Sequence, residues 1–238
     1  MALHHNPRVV TSGLILALDA ADTNSYPGSG TAWYDLSGNG YHGTLQNAPS
    51  FNTSVKGDFT FDYTDDYVTT TGMANYSYAG GITVSVWHYN GGGTGYYRGV
   101  ATNGTDADRV GGFDLRYGRE DFFGGDNNGT SLNWAIYNSS GVGTGIVIHS
   151  NVNEWHNYVG TYDNVTLRGY KDGGIFVSQA HSSGGQLKTM SNSTTIARSP
   201  GTFEYLDGRL ALVFIYNRAL SPAEILQNFN ATKGRFIP

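Results

Sequence analysis

Cysteine is absent from the 238 residues of this sequence. Its absence excludes disulfide bonds, thiolate nucleophiles and zinc sites built from cysteine. Charged residues are also scarce, at 14% of the chain, and the formal net charge is −5. Proteins that bind nucleic acid need a basic surface for the phosphate backbone, so we expect no nucleic-acid partner.

The sequence also lacks long hydrophobic segments. No apolar run approaches the roughly 18 residues that a membrane-spanning helix needs. The opening residues, MALHHNPRVV, lack the basic and hydrophobic parts of a secretory signal. We therefore expect a protein that is made in a cytosol and is not inserted into a membrane.

Glycine and aromatic residues are abundant, with 34 glycines and 13% aromatics. Apolar and polar residues alternate in several short segments, for example at 14–18, 59–63 and 82–86. This period of two is typical of strands that bury one face. The segment at 209–217 is apolar on both faces, which predicts a central strand covered on both sides.

One helix is predicted, at 221–230 near the end of the chain. Ser221 is its N-cap, Pro222 takes the first helical position and Glu224 completes a capping box. Because the other segments are strands separated by glycine, asparagine and aspartate, the sequence predicts an all-β fold, an antiparallel two-sheet jelly-roll sandwich. We assign 1–238 to a single domain, with an N-terminal arm at 1–12.

The loop at 31–45, TAWYDLSGNGYHGTL, combines aromatic residues, potential ligand groups and turn formers. A metal loop, a catalytic loop, a sugar platform and a structural connection are the four possible interpretations. The run Asp-Leu-Ser-Gly-Asn-Gly favours a connection, because these residues form turns and bond to their own backbone. We predict that Trp33 and Leu45 anchor the loop in the core and that Asp35 bonds to local backbone.

Segments spread along most of the chain, in a consistent order, carry a family resemblance. They resemble the laminin-G-like, concanavalin A-like lectin/glucanase domains, and the matching segments are WYDLSGNGYHGTL at 33–45, FDYTDDYV at 61–68, WHNYVGTYD and GYKDG within 155–173, and DGRLALVFIYNRALSPAEI at 207–225. The resemblance implies a jelly roll of two curved antiparallel sheets, which agrees with the fold predicted from the alternation.

A narrower resemblance involves both ends of the sequence. Residues 5–40 and 216–236 are similar to single-domain proteins of tailed bacteriophages, especially cyanophages. This resemblance implies a non-enzymatic virion protein that is assembled in the bacterial cytoplasm. Its partners would be other capsid or tail proteins and host-surface glycans, and an oligomer is compatible with that role. Capsid decoration is favoured over a fibre tip because the sequence has no coiled coil or β-helical shaft.

The two alternative functions are a carbohydrate-binding lectin-like module and a polysaccharide hydrolase. Retaining glucanases of this fold place their carboxylates on one strand as E-x-D-x-x-E, where alternate side chains share a face. Glu204 and Asp207 are three apart and would lie on opposite faces. No G-x-S-x-G motif is present either. We therefore predict that the protein is not an enzyme.

Oxygen ligands for calcium are abundant in the predicted loops, although none follows the spacing of a defined calcium loop. The candidates are Asn103, Asp106 and Asp108 in one loop, Asp126, Asn127 and Asn128 in another, and Asp19 or Asp207 near the chain ends. Such residues also cap turns. We expect no required cofactor, with a structural calcium as the alternative, and the scattered histidines make zinc an unfavourable choice.

The predicted ligand-binding residues are Tyr96, Tyr97 and Arg98, within HYNGGGTGYYRG. Aromatic residues beside arginine are the types that dominate binding hot spots, since they offer stacking faces and a hydrogen-bonding fork. The structural alternative is that one tyrosine points into the core while the other covers the sheet. Trp155, in the family signature, is predicted to be a core residue.

Overall fold

The computed structural model describes residues 8–54, 56–73, 76–93, 98–104, 112–118, 129–189, 193–199 and 205–237. Within them lie sixteen strands, one α-helix and one 3-10 helix. Their bounds are β1 Leu14–Asp19, β2 Ala32–Trp33, β3 Gly43–Gln46, β4 Ser50–Asn52, β5 Asp58–Asp62, β6 Tyr67–Thr70, β7 Ile82–Asn90, β8 Gly99–Asn103, β9 Phe113–Tyr117, β10 Ser131–Tyr137, β11 Gly143–His149, β12 Trp155–Tyr162, β13 Thr166–Lys171, β14 Gly174–Ala180, β15 Thr195–Ile196, β16 Asp207–Tyr216, α1 Pro222–Thr232 and the 3-10 helix Lys233–Arg235.

The strands form two sheets of eight strands each. The first sheet has the order β14-β13-β12-β7-β16-β5-β4, with β1 also paired to β16. The second has the order β11-β10-β9-β8-β15-β6-β3-β2. Neighbouring strands in both sheets are antiparallel, so the predicted all-β two-sheet sandwich with one short C-terminal helix is confirmed.

Strand β16 is the central strand of the first sheet, as its apolar sequence predicts. It pairs with β7 on one side. On the other side it pairs with β5 along its first residues and with β1 along its last ones. The strand is buried on both faces over most of its length, since the sheet has the sandwich core on one side and the C-terminal segment on the other.

The inner faces of the two sheets pack against each other to form the main core. Ile82, Val84 and Val86 of β7 point into this core. Thr83 and Ser85, which alternate with them, are buried too, so the predicted one-sided burial of β7 is wrong. The reason is that the 217–236 segment covers the outer face. The Thr83 hydroxyl, for example, donates to the backbone oxygen of Arg218 at 2.8 Å.

Helix α1 begins as predicted and runs two residues further than 221–230. The Ser221 hydroxyl accepts from the Glu224 backbone N–H at 3.3 Å, and Glu224 Oε2 accepts from the Ser221 N–H at 2.8 Å. Both halves of the capping box are therefore present. Phe229 of α1 and Phe236 lie on the outer face of the first sheet, where each stacks on the Trp87 ring.

The 31–45 loop is held by its own polar residues, as predicted. Asp35 Oδ1 accepts from the backbone N–H groups of Ala17 and Ser37, each at 2.9 Å. Trp33 and Leu45 are buried at the ends of the loop. The loop therefore acts as a structured connection between β2 and β3 of the second sheet.

Residues 8–12 of the predicted N-terminal arm pack beside α1, while residues 1–7 lie outside the described part of the chain. The Val10 N–H donates to Asn228 Oδ1 at 2.8 Å, and its carbonyl oxygen accepts from the Tyr216 hydroxyl at 3.0 Å. Among the described residues, no helix combines the length and the apolar character needed to cross a bilayer.

Candidate functional site

A surface groove of about 540 Å³ opens on the outer face of the first sheet. It lies where the C-terminal segment no longer covers that face. Its lining combines two aromatic rings, three cationic side chains and two small polar side chains, which are Tyr89, Trp155, Lys56, Arg209, Arg235, Asn52 and Ser54. This mixture of apolar rings and hydrogen-bond donors is typical of a small-molecule binding site.

Three of the lining residues form a row across neighbouring strands. Tyr89, near the end of β7, is the register partner of Trp155 in β12 and also of Arg209 in β16. Directly opposed residues of antiparallel strands project from the same face of the sheet. The two rings lie 5.8 Å apart, centroid to centroid, at an interplanar angle of 53°. The β-sheet register therefore places all three side chains together.

Arg209 is held firmly in this row. Its Nε and Nη2 donate to Asp58 Oδ1 and Oδ2 at 2.6 and 2.7 Å, and the Asp58 side chain is fully buried. Its guanidinium carbon lies 5.5 Å from the Tyr89 ring centroid and 5.4 Å from that of Trp155, within cation–π range. The fork leaves Nη1 without a hydrogen-bond partner among the described residues. Because the guanidinium is planar, Nη1 points away from Asp58.

The other end of the groove is cationic. Arg235 Nη1 donates to both carboxylate oxygens of Asp19, at 2.9 and 2.8 Å, and its Nη2 donates to the backbone oxygen of Lys56. This last bond holds the chain at Lys56 beside the C-terminal segment. The Lys56 ammonium itself forms no ion pair within the described ranges.

Trp155 closes one wall of the groove. Its side chain is only 9% exposed, and the ring of Phe236 packs 5.1 Å from it. The prediction that Trp155 is a core residue is therefore confirmed. No local pattern indicates that its rim also lines a groove, because the neighbours that create the groove, Tyr89 and Arg209, are distant along the chain.

Of the predicted site residues Tyr96, Tyr97 and Arg98, the structure describes Arg98, which does not line this groove. Arg98 is fully buried, with its guanidinium carbon 4.4 Å from the Tyr117 ring centroid and Nη2 donating to the Gly129 oxygen at 3.2 Å. Burial lowers the pKa of this arginine. Tyr96 and Tyr97 lie outside the described residues, so the three-residue site stays a prediction.

Three of the predicted calcium ligands, Asn103, Asp19 and Asp207, lie among the described residues, in three different strands. Asn103 is buried and donates to Thr194 Oγ1 at 3.4 Å, while Asp19 is engaged by Arg235. Asp207 lies at the start of β16, opposite Asp62 of β5. The remaining candidates, Asp106, Asp108, Asp126, Asn127 and Asn128, fall outside the described residues.

A different acidic cluster is formed by Asp62, Asp65 and Asp66, whose carboxylates each place an oxygen within 4.8 Å of the others. Burial, followed by the nearby Asp62 charge, raises the pKa of Asp66 to about 6. The segment FDYTDDYV contains all three, and in the sequence it carries the family resemblance without indicating a metal site. Exposed acidic residues often cluster without binding an ion, so we assign no metal here.

The outer face of the second sheet carries a second polar cluster. Register pairs Thr195 with Thr102 and Thr102 with Asp114. Asp114 is 1% exposed, and desolvation raises its pKa to about 6 even though Arg116 Nη2 lies 3.7 Å from its Oδ2. A carboxyl that titrates near neutrality can serve as a general acid. A glycosidase needs a second carboxylate. Glu204, which the sequence spacing disfavours as a partner of Asp207, lies outside the described ranges.

Together, the two-sheet jelly roll and the aromatic groove define a lectin-like β-sandwich. The sequence model of the concanavalin A-like lectin/glucanases superfamily, Laminin_G_3, matches residues 61–226, which is more than half of the chain. The chain therefore belongs to this family. No curated protein sequence matches it.

Solved structures with the same fold include binding domains of clostridial toxins. The binding domain of Paraclostridial Mosquitocidal Protein 1 is 15% identical, with a TM-score of 0.70 over 92% of this chain and 52% of that one. The botulinum neurotoxin serotype G binding domain is 14% identical, with a TM-score of 0.68 over 91% and 50%. The botulinum neurotoxin serotype D ligand binding domain, in complex with N-acetylneuraminic acid, is 15% identical, with a TM-score of 0.68 over 92% and 51%.

At these identities the likeness shows the fold alone. The chain spans about half the length of each of these binding domains. The comparison therefore does not transfer their receptor or sugar contacts to particular residues of this chain.

Proposed function

We propose that this domain binds a carbohydrate in the groove lined by Tyr89, Trp155 and Arg209, and that it does not transform the bound sugar. The observation that carries this proposal is the cross-strand row of two aromatic rings and a guanidinium, with the guanidinium fixed by the fully buried Asp58. Sugars present apolar ring faces and many hydroxyls, so they need an aromatic surface together with directed donors.

The row is rigid before any ligand arrives, which lowers the entropic cost of binding. Arg209 already has its orientation set by the two bonds to Asp58, and its Nη1 can donate to a sugar hydroxyl. Asn52 and Ser54, at the opposite side of the groove, supply further polar groups. Since the groove is open and shallow, we expect weak binding of a single sugar, with a Kd on the order of 1 mM, or about −4 kcal/mol.

The absence of a carboxylate from the described groove lining supports binding over hydrolysis. Asp58, the nearest acid to the row, lies behind Arg209 and is fully buried, with both oxygens engaged by the guanidinium. A retaining or inverting glycosidase needs two accessible carboxyl groups across the scissile bond. The groove has the groups for recognition and lacks those for acid–base chemistry.

A glycan array followed by calorimetric titration of the best ligand tests this function. We expect Tyr89→Ala to weaken binding at least tenfold, because it removes the central ring of the row. Tyr34→Ala is the matched control, since Tyr34 is 43% exposed and does not line the groove. If no glycan binds, or if both variants bind as well as the original protein, the proposed site is wrong.

We also propose that this binding needs no metal, because the described lining of the groove offers no carboxylate to hold a cation. Titrations in EDTA and in calcium should give the same Kd within a factor of two. Loss of binding in EDTA that calcium restores would point to the calcium alternative, with Asp62, Asp65 and Asp66 as the first residues to replace.

The setting that we propose is a bacteriophage virion, where the domain would attach to capsid or tail proteins and contact host-surface glycans. This part rests on the sequence resemblance of residues 5–40 and 216–236 alone. Mass spectrometry of purified particles tests it, with labelled antibody then locating the protein on head or tail. Absence from particles would remove the virion setting and leave the glycan-binding groove to be judged separately.

A further inference from the structure

We infer that the groove selects glycans that carry an anionic substituent, either a carboxylate or a sulfate ester. This inference rests on the proposed glycan-binding function and adds the chemical class of the ligand. It starts from a contrast in charge. The chain has a formal net charge of −5, yet the described lining of the groove contains three cations and no carboxylate.

Two of the three cations are paired with carboxylates outside the lining. Arg209 is bonded to Asp58, and Arg235 is bonded to Asp19. The third cation, Lys56, has no carboxylate within ion-pair distance among the described residues. The groove therefore keeps one positive charge that the protein does not neutralise.

The backbone that carries Lys56 is held in place by the C-terminal segment. Lys56 is half-buried, and its backbone oxygen accepts from Arg235 Nη2. Arg235 in turn is held by Asp19, and its neighbour Phe236 packs on Trp155. Because this chain of contacts connects the cationic end to the aromatic end, a ligand whose ring rests on Tyr89 can direct an acidic group toward Lys56.

Arg209 adds to the preference for an anionic ligand. Its Nη1 has two N–H donors that no described residue uses, and a guanidinium donates more strongly to a charged oxygen than to a neutral hydroxyl. A carboxylate or sulfate in the groove would accept these donors more strongly than a hydroxyl does, and the Lys56 charge would also attract it. A neutral sugar could use the same donors, but it would gain nothing from the unmatched charge.

Other polar grooves on the described surface lack this imbalance. The groove at the start of α1 is lined by two arginines and two acids, which form the pairs Arg168 with Asp163 and Arg218 with Glu224. The distances within these pairs are 2.7 and 2.6 Å. The cationic excess therefore belongs to the aromatic groove and is not a general property of the surface.

The test compares anionic glycans with their neutral counterparts on the full chain. The probe pairs are 3′-sialyllactose with lactose, oligogalacturonate with its methyl ester, and a sulfated galactose oligomer with the unsulfated one. We expect at least one anionic probe to bind tenfold or more tightly than its partner at low salt. The advantage should shrink as salt rises, because salt screens the charge of Lys56.

Lys56→Gln provides the matched variant, since it removes the charge and keeps a long polar side chain. We expect it to weaken binding of the anionic probe about tenfold while changing that of the neutral partner less than twofold. Lys188→Gln, which changes the same charge in a loop bonded to the second sheet, should leave both affinities unaltered. Thermal unfolding of each variant verifies that the fold is intact.

The outcomes separate the two proposals. Equal or stronger binding of the neutral probes, with Tyr89→Ala still abolishing it, overturns the anionic preference and keeps the proposed function. Binding of no probe overturns both. An anionic preference that Lys56→Gln leaves intact also overturns the inference, because the charge would then come from elsewhere. Carboxylate and sulfate sources are distinguished by which probe pair shows the advantage.

Discussion

Two tryptophans on the outer face of the first sheet have different environments. Trp87 is 1% exposed, its ring lies between Phe229 and Phe236, and its Nε1 donates to Thr232 Oγ1 at 2.8 Å. Trp155 contacts Phe236 on one side and the groove on the other. The same sheet face is thus core where the C-terminal segment covers it and an open groove where the segment leaves it uncovered.

Trp87→Ala should have the largest effect on stability, because it removes packing between the first sheet and the C-terminal segment. Removing a fully buried tryptophan leaves a cavity between α1 and the sheet, and we expect the free energy of unfolding to fall by about 3–5 kcal/mol. Urea denaturation followed by fluorescence or circular dichroism measures the change. A loss below about 1 kcal/mol would mean that the C-terminal segment contributes little to the core.

Asp58→Ala tests the open half. It removes the fully buried carboxylate that orients Arg209, but the guanidinium, at 25% exposure, can turn toward water. We therefore expect a loss of about 1–3 kcal/mol in unfolding free energy and at least tenfold weaker glycan binding. Asp22→Ala, at a half-buried carboxylate outside the groove, is the control. Unchanged binding in Asp58→Ala would show that Arg209 needs no fixed orientation.

A pH titration sharpens the contrast between the outer and inner faces of β7. On the inner face, His88 Nδ1 lies 3.0 Å from the Arg209 carbonyl oxygen and Nε2 lies 2.8 Å from the Tyr117 hydroxyl. A carbonyl can only accept, so Nδ1 carries a proton. Burial lowers the pKa of His88 to about 3.

Between pH 6.5 and 3 the unfolded chain binds a proton at this position that the folded chain does not bind. The contribution of His88 to stability is therefore complete above pH 6.5, and it is lost as pH falls, by about 1.4 kcal/mol per unit. The raised pKa values of Asp66 and Asp114 make the folded state more stable as pH falls, which opposes the effect of His88. A His88→Gln variant keeps both aspartates, so it shares their contribution. Denaturation of both proteins from pH 7 to 4.5 isolates the difference, and equal slopes would contradict a neutral buried His88.

Tyr89→Phe should have the smallest effect. It keeps the ring of the cross-strand row and removes a hydroxyl whose bond to Asn153 Oδ1 is long, at 3.4 Å. We expect a change within about 0.5 kcal/mol in unfolding free energy and less than a twofold change in glycan affinity. A large loss of affinity would show that the hydroxyl, and not the ring face, contacts the sugar.

The fold was predictable because its signals are local. Alternating residues at 82–86, the capping box at Ser221 and the turn formers around Asp35 each specify structure within a few positions of the sequence. The burial of Thr83 and Ser85 was not predictable from their polarity, because the segment that covers them is more than a hundred residues away. Local pattern gives the strands, and long-range packing decides which faces are covered.

The groove illustrates the same limit for function. The sequence predicts Tyr96, Tyr97 and Arg98 as ligand-binding residues because an arginine follows two aromatic residues directly. The arginine of the groove, Arg209, meets its aromatic neighbours only through strand register, since Tyr89 and Trp155 come from β7 and β12. Without an assignment of register, residues so far apart carry no joint signal.

The hydrogen bonds of Arg235 also determine when the groove can form during synthesis of the chain. Arg235 joins Asp19, near one end of the sequence, to the Lys56 backbone, near the groove. A ribosome that has translated Arg209 has not yet supplied this cation or the Phe236 ring. A nascent chain therefore lacks the complete groove until residues 235 and 236 have been translated and packed, so under the proposed function glycan capture would report the folding of this segment.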